Sequence, residues 1–157
     1  MAPPLTEPQS FAPTSETVET SSVLEGSGTR PLTVQLAAAA KTWATGQRQL
    51  IVLAAEFADS IEWVLAGSPT AAHWLAETAD VETCTAREWI RIGRKLADLT
   101  LISKAYGNAE ISYSKVRTLT RYATEENEQA LLDIAKDVPA SELGRAIAYW
   151  LNENSDP

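Results

Sequence analysis

One histidine, His73, and one cysteine, Cys84, are all the imidazole and thiol that this chain offers. Metal sites need two or more ligands at defined spacing. One His with one Cys eleven residues further on supplies neither a zinc pattern nor a nucleophile with its base. His73 therefore reads as a helix-surface or packing histidine. Cys84 has no partner for an internal disulfide, and no CxxC is present. The phosphate-cradling loops GxxxxGK[ST] and GxGxxG and the nucleophile elbow GxSxG are missing. Acidic neighbours such as Glu125-Glu126 read as a solvated helix start that complements the helix dipole. No catalytic residue, metal or cofactor is expected, and the chain reads as a non-enzyme.

The chemistry that the sequence does concentrate is cationic. From Cys84 to Tyr122 it holds eight basic residues against three acidic ones, a local balance of +5. Residues 1–33 sum to −3, residues 34–83 to −4 and residues 123–157 to −6, within an overall charge of −8. A molecule this acidic has no general attraction to nucleic acid, so one basic island is the informative departure.

Two helices must position that island. The first is expected to start at Thr85, with Glu88 completing a capping box. At about 100° per residue, Trp89, Ile90, Ile92, Gly93, Leu96, Ala97 and Leu99 fill one apolar arc. Arg87, Arg91, Arg94 and Lys95 fall on the opposite side, with Asp98 among them. The second helix starts near Ser112 or Ser114. Val116, Leu119, Tyr122 and Ala123 form its apolar face, and Ser114, Arg117, Thr118 and Arg121 share the other. Gly107-Asn108 between them is a turn signal, because both residue types tolerate positive φ.

The run from Ala72 to Asp137, and above all AHWL at Ala72–Leu75, TAREW with the LADL that follows it, and SYSKVRTLTR at Ser112–Arg121, resembles the actinobacterial domain-of-unknown-function 222 family. Its mycobacterial examples are also called 13E12 repeat proteins. The likeness covers roughly residues 32–150. It implies a helical fold and a DNA-related setting, since many members carry an HNH endonuclease domain after the helical region. HNH chemistry needs at least two histidines, one as base and one as metal ligand. With a single His, N-terminal to where such a domain would stand, the nuclease is expected to be absent from this sequence.

The rest of the chain frames the island. Residues 1–31 are rich in Pro, Thr, Ser and Glu and nearly free of large apolar residues, which predicts a disordered tail. From Leu32 to Leu65, Leu32, Leu36, Ala39, Ala40, Trp43, Leu50, Leu53, Phe57, Ile61 and Val64 recur at helical steps. One helix of this length, or two broken near Thr45-Gly46, would fit, ending at Gly67-Ser68-Pro69. A single long helix invites pairing with a second copy. Thr70 is placed to cap a short helix through Ala79, with Trp74 and Leu75 inward. Thr124 opens another, with Glu125, Glu126 and Glu128 in its first turn and Ala130, Leu131, Ile134 and Ala135 buried. Val138-Pro139 breaks it, and a last helix runs to Trp150 or Leu151. No strand pattern is found. The expected architecture is all-α: a multi-helix bundle over residues 32–152 with a helix-turn-helix-like central pair, a disordered tail at 1–31 and a frayed end at 153–157. No apolar run is long enough to span a membrane and no signal peptide is evident, so a cytoplasmic protein without membrane attachment is expected.

Two readings of the island follow. In one, Ser114, Arg117, Thr118 and Arg121, with Lys115 beside them, face the DNA major groove, where arginine can read guanine. Arg87, Arg91, Arg94 and Lys95 then contact phosphates. A connection of some fourteen residues is long for a simple helix-turn-helix, so a third short helix would have to intervene. In the other reading, the arginines pair with neighbouring acidic helices, and the chain is a homodimeric scaffold or assembles with full-length relatives.

Overall fold

The computed structural model describes residues 30–155. Eight α-helices and no strand are found among them, as the all-α expectation requires. They are α1 (Leu32–Asp59), α2 (Glu62–Leu65), α3 (Ala71–Ala79), α4 (Thr83–Asp98), α5 (Thr100–Gly107), α6 (Tyr113–Tyr122), α7 (Glu128–Asp137) and α8 (Ala140–Asn154). The tail expected to be disordered lies, up to residue 29, outside the described residues.

Helix α4 is the hub. It packs along α1 and also against α3, α5 and α6, while α5 rests on α7, α6 on α8, and α7 on α8. Ile51, Ile92, Leu99, Ile102, Tyr106, Val116, Leu119, Leu131, Leu143 and Ile147 are fully buried and join these helices into one core. The apolar arc of α4 is as its spacing predicts, with Ala86, Trp89, Ile90, Ile92, Gly93 and Leu96 buried. Ala97, assigned to that arc, is exposed.

Several local expectations are corrected. Helix α1 is continuous through Gly46, but it stops at Asp59 and a break at Ser60-Ile61 precedes the single turn of α2. The side of α1 that is buried is Ile51, Ala54 and Ala55, not the larger residues that dominate the pattern; Leu53 and Ile61 are exposed. Gly93 decides this. A Cβ there would lie 2.3 Å from the Ile51 carbonyl oxygen and 2.7 Å from the Ala55 Cβ. Only glycine lets the two helix axes approach so closely, and small residues on α1 complete the contact. In α6, Tyr122 is exposed and Thr120 takes its place inside. The positive φ of the α5–α6 turn belongs to Ala109, at 58°, and not to Gly107 or Asn108. Helix α8 runs on to Asn154.

The expected capping box at Thr85 does not form. Helix α4 already begins at Thr83, behind Glu82, and no side chain caps it. The expected helix start at Thr124 is a turn, tied by the Thr124 N–H donating to Asn127 Oδ1 at 2.7 Å. Glu128, assigned to a solvated first turn, is buried, and its carboxylate accepts from the Ile102 N–H at 2.8 Å. It thereby satisfies one of the orphan donors at the start of α5. Thr70 caps α3 as expected, its hydroxyl accepting from the His73 N–H at 3.2 Å.

Candidate nucleic-acid interface

The helix required between the two basic helices is α5. It turns the chain so that α4 and α6 lie in contact with their basic faces together. Glu88 is the point on which those faces converge. Arg91, one turn along α4, grips it in bidentate fashion, with Nε to Oε2 at 2.9 Å and Nη2 to Oε1 at 2.9 Å. From α6, Arg117 Nε reaches Oε1 at 3.2 Å and Arg121 Nη2 reaches it at 3.3 Å. Arg91 also donates to the carbonyl oxygen and hydroxyl of Thr120, at 3.4 and 3.3 Å, so one guanidinium joins α4 to α6.

Three guanidinium groups thus share one carboxylate, and the cluster keeps a net charge of +2. The Glu88 side chain is only 21% exposed, whereas those of Arg117 and Arg121 are 55% and 51% exposed. The negative charge sits at the bottom and the positive charge faces solvent. The hydrogen bond from Arg91, then its charge and the contacts of Arg121 and Arg117, hold the Glu88 carboxyl at a pKa of about 2 against the opposing effect of burial. The cluster therefore stays charged across the whole neutral range.

The α4 basic face continues around the helix. Arg87, Arg91, Arg94 and Lys95 line a groove of about 640 Å³ between α4 and the first turn of α3, with Trp63 and Asp98. Arg94 pairs with Asp59 at 2.6 Å, both side chains being more than half exposed. Arg87 and Lys95 make no ion pair among the described residues. The buried indole N–H of Trp63 has no acceptor among the described residues.

Of the remaining residues expected in the site, Ser114 is exposed on α6 and Thr118 is half-buried, its hydroxyl donating to the Ser114 carbonyl at 3.2 Å. Lys115 turns away from the cluster: its ammonium donates to the Ala135 carbonyl at the end of α7, where a cation suits the negative end of the helix. Glu88 is the functional residue that sequence reasoning misassigned. Its i,i+3 spacing to Arg91 was the available signal, but only the α4–α6 contact reveals the other two partners.

Other features do not compete for this role. A groove of about 900 Å³ between α1, α4 and α5 contains Arg48, but its guanidinium is committed to the backbone and hydroxyl oxygens of Ser103 at 2.9–3.1 Å. Among the described residues, no three His, Cys, Asp or Glu side chains are gathered to hold a metal ion, and no helix is long and apolar enough to cross a membrane. Comparison with protein-family models, curated proteins and solved structures finds no match to this chain.

Proposed function

We propose that this is a non-catalytic, DNA-associated helical module that meets the phosphate backbone through the joined faces of α4 and α6. The observation that carries this reading is the three-to-one ratio of guanidinium groups to carboxylate at Glu88, with Arg117 and Arg121 half exposed. An internal salt-bridge seam would bring the charges to balance and bury them; this cluster leaves a surplus and presents it outward. Glu88 spaces the arginines and fixes their orientation, which lowers the entropy lost when they close on an anion. Arg87 and Lys95 extend the cationic surface along α4, beside a groove that Trp63 helps to line. Ser114 is exposed on α6 and adds a hydroxyl to this face. The resemblance of Ser112–Arg121 and the α4 segment to the domain-of-unknown-function 222 family supports this reading.

The interaction is of the phosphate-positioning kind, so it should be strongly salt-dependent and weakly sequence-dependent. Fluorescence anisotropy with short labelled duplexes tests it. Binding at ~50 mM salt and micromolar protein that fades by ~200 mM supports the reading. No binding at the lower salt refutes it.

A further inference from the structure

No residue of α1 from 31 to 43 is buried, yet the pattern of this part of the helix is not that of a solvated one. Starting at Leu32 and stepping alternately four and three residues, every position to Phe57 is apolar or glycine. This is a heptad seam sustained over more than three repeats, the spacing by which two helices interlock. The seam is open to solvent: Leu32 is 79% exposed, Leu36 72%, Trp43 70% and Leu53 51%. It lies beside the Ile51, Ala54 and Ala55 surface that packs on α4; Leu50 and Phe57 rest partly on the core, Phe57 against Trp74 at 4.6 Å between ring centroids, while Leu32, Leu36, Trp43 and Leu53 stay exposed.

We propose that α1 pairs antiparallel with α1 of a second copy of this chain, about a two-fold axis midway between Trp43 and Gly46. In that register the seam is its own complement. Leu32 meets Phe57, Leu36 meets Leu53, Ala39 meets Leu50, and Trp43 meets Gly46. The last pair decides the orientation. A Cβ at Gly46 would have nothing within 4 Å, so each copy offers an open notch where the partner needs room for an indole. Parallel pairing would set indole on indole and leave a void one turn on.

Charge selects the same orientation. The N-terminal end of the helix carries Arg30 and Lys41, and no carboxylate occurs from residue 30 to residue 55. Its other end carries Glu56, Asp59 and, just beyond, Glu62. Antiparallel pairing lays the cationic end of one copy along the anionic end of the other; parallel pairing would oppose like charges. At the anionic end a groove of about 410 Å³ is lined by Leu50, Leu53, Phe57 and Trp74, with Glu56 and Glu62 at its edge. Leu32 and Leu36 of the partner would occupy it. Exposed fractions of the seam side chains amount to on the order of 500 Å² of apolar surface per copy, taking ~60–120 Å² for an aliphatic side chain and ~250 Å² for tryptophan. With its polar flanks, this approaches the ~800 Å² per partner of stable complexes. This pairing does not depend on the nucleic-acid reading.

Sedimentation or light scattering on the full chain tests the pairing. At ~100 μM, where any dimer of micromolar affinity is populated, the expected mass is twice 17.0 kDa. Leu36→Glu, at a position exposed in the single chain, should keep its helical circular dichroism and raise the dissociation constant more than ~100-fold, because the change is felt twice across the axis. In a Cys84→Ser background, oxidation of a mixture of Leu36→Cys and Leu53→Cys chains should cross-link the two variants to each other and neither to itself. A monomer at ~100 μM overturns the proposal, as does a dimer indifferent to Leu36→Glu. Self-cross-linking of Leu36→Cys overturns the antiparallel register.

Discussion

Replacing Gly93 by alanine sets a general helix rule against one particular contact. In an isolated helix the change is favourable by about 1 kcal/mol, since glycine is the more flexible residue. In this bundle the new methyl would lie 2.3 Å from the Ile51 carbonyl oxygen, a backbone atom, and 2.7 Å from the Ala55 Cβ. Ordinary contacts begin near 3.4 Å, so α1 and α4 must part by about 1 Å. A gap of that size forfeits a quarter to a half of the dispersion attraction along the contact, which includes Ile51, Ala54 and Ala55. Overpacking of this kind costs about 1–3 kcal/mol. For a domain of this size that corresponds to a fall in Tm of roughly 4–15 °C. The matched control is Gly144→Ala in α8, where a Cβ meets nothing within 4 Å; it should gain up to about 1 kcal/mol. Thermal unfolding followed by circular dichroism gives both values. If Gly93→Ala melts at or above the parent while Gly144→Ala rises, the close α1–α4 contact is not what fixes the buried side of α1.

The remaining predictions concern carboxylates. The Glu88 pKa is depressed to about 2 from an ordinary 4.5, so its contribution to stability is complete above pH 4.5 and is lost as pH falls towards 2. The full depression corresponds to about 3 kcal/mol. Screening of the half-exposed Arg117 and Arg121 leaves about 1–2 kcal/mol, measurable as a drop in Tm between pH 5 and pH 2.5 that Glu88→Gln should blunt. The same Glu88→Gln change should lower stability at pH 7 yet tighten duplex binding at low salt, because it raises the net positive charge of the site by one while the amide oxygen can still accept from the arginines; anisotropy and melting should move in opposite senses. Glu128→Ala strands the buried Ile102 N–H and should cost about 1–3 kcal/mol in chemical denaturation, whereas Glu125→Ala, at an exposed turn, should stay within about 0.5 kcal/mol.

What could be read from the sequence was what depends on neighbours in the chain. Thr70 caps α3 through a bond to His73 three residues on, and the arc of α4 follows from the helical repeat alone. The errors fall where a distant partner overrides a local rule. Glu88 has the spacing of a capping residue, but three arginines, two of them from α6, compete for its carboxylate and win. Glu128 has the position of a solvated first-turn acid, but the start of α5 needs an acceptor and recruits it. The apolar repeat of α1 does not say which of its sides is buried, whereas a glycine on another helix selects the side that carries Ile51, Ala54 and Ala55. The candidate site was legible as a set of cations on two helix faces. That Lys115 would leave this set for the end of α7 depends on a helix packing that no single segment encodes.

The most direct measurement of the central claim is the salt dependence of duplex affinity for the parent and for Arg117→Ala/Arg121→Ala. If these side chains meet phosphates, each contributes a slope of about 0.9 in log Kobs against log[salt]. The double variant should then bind more weakly on every sequence, with a slope shallower by about 2. A parent that binds with the same affinity and slope as the double variant would contradict the account.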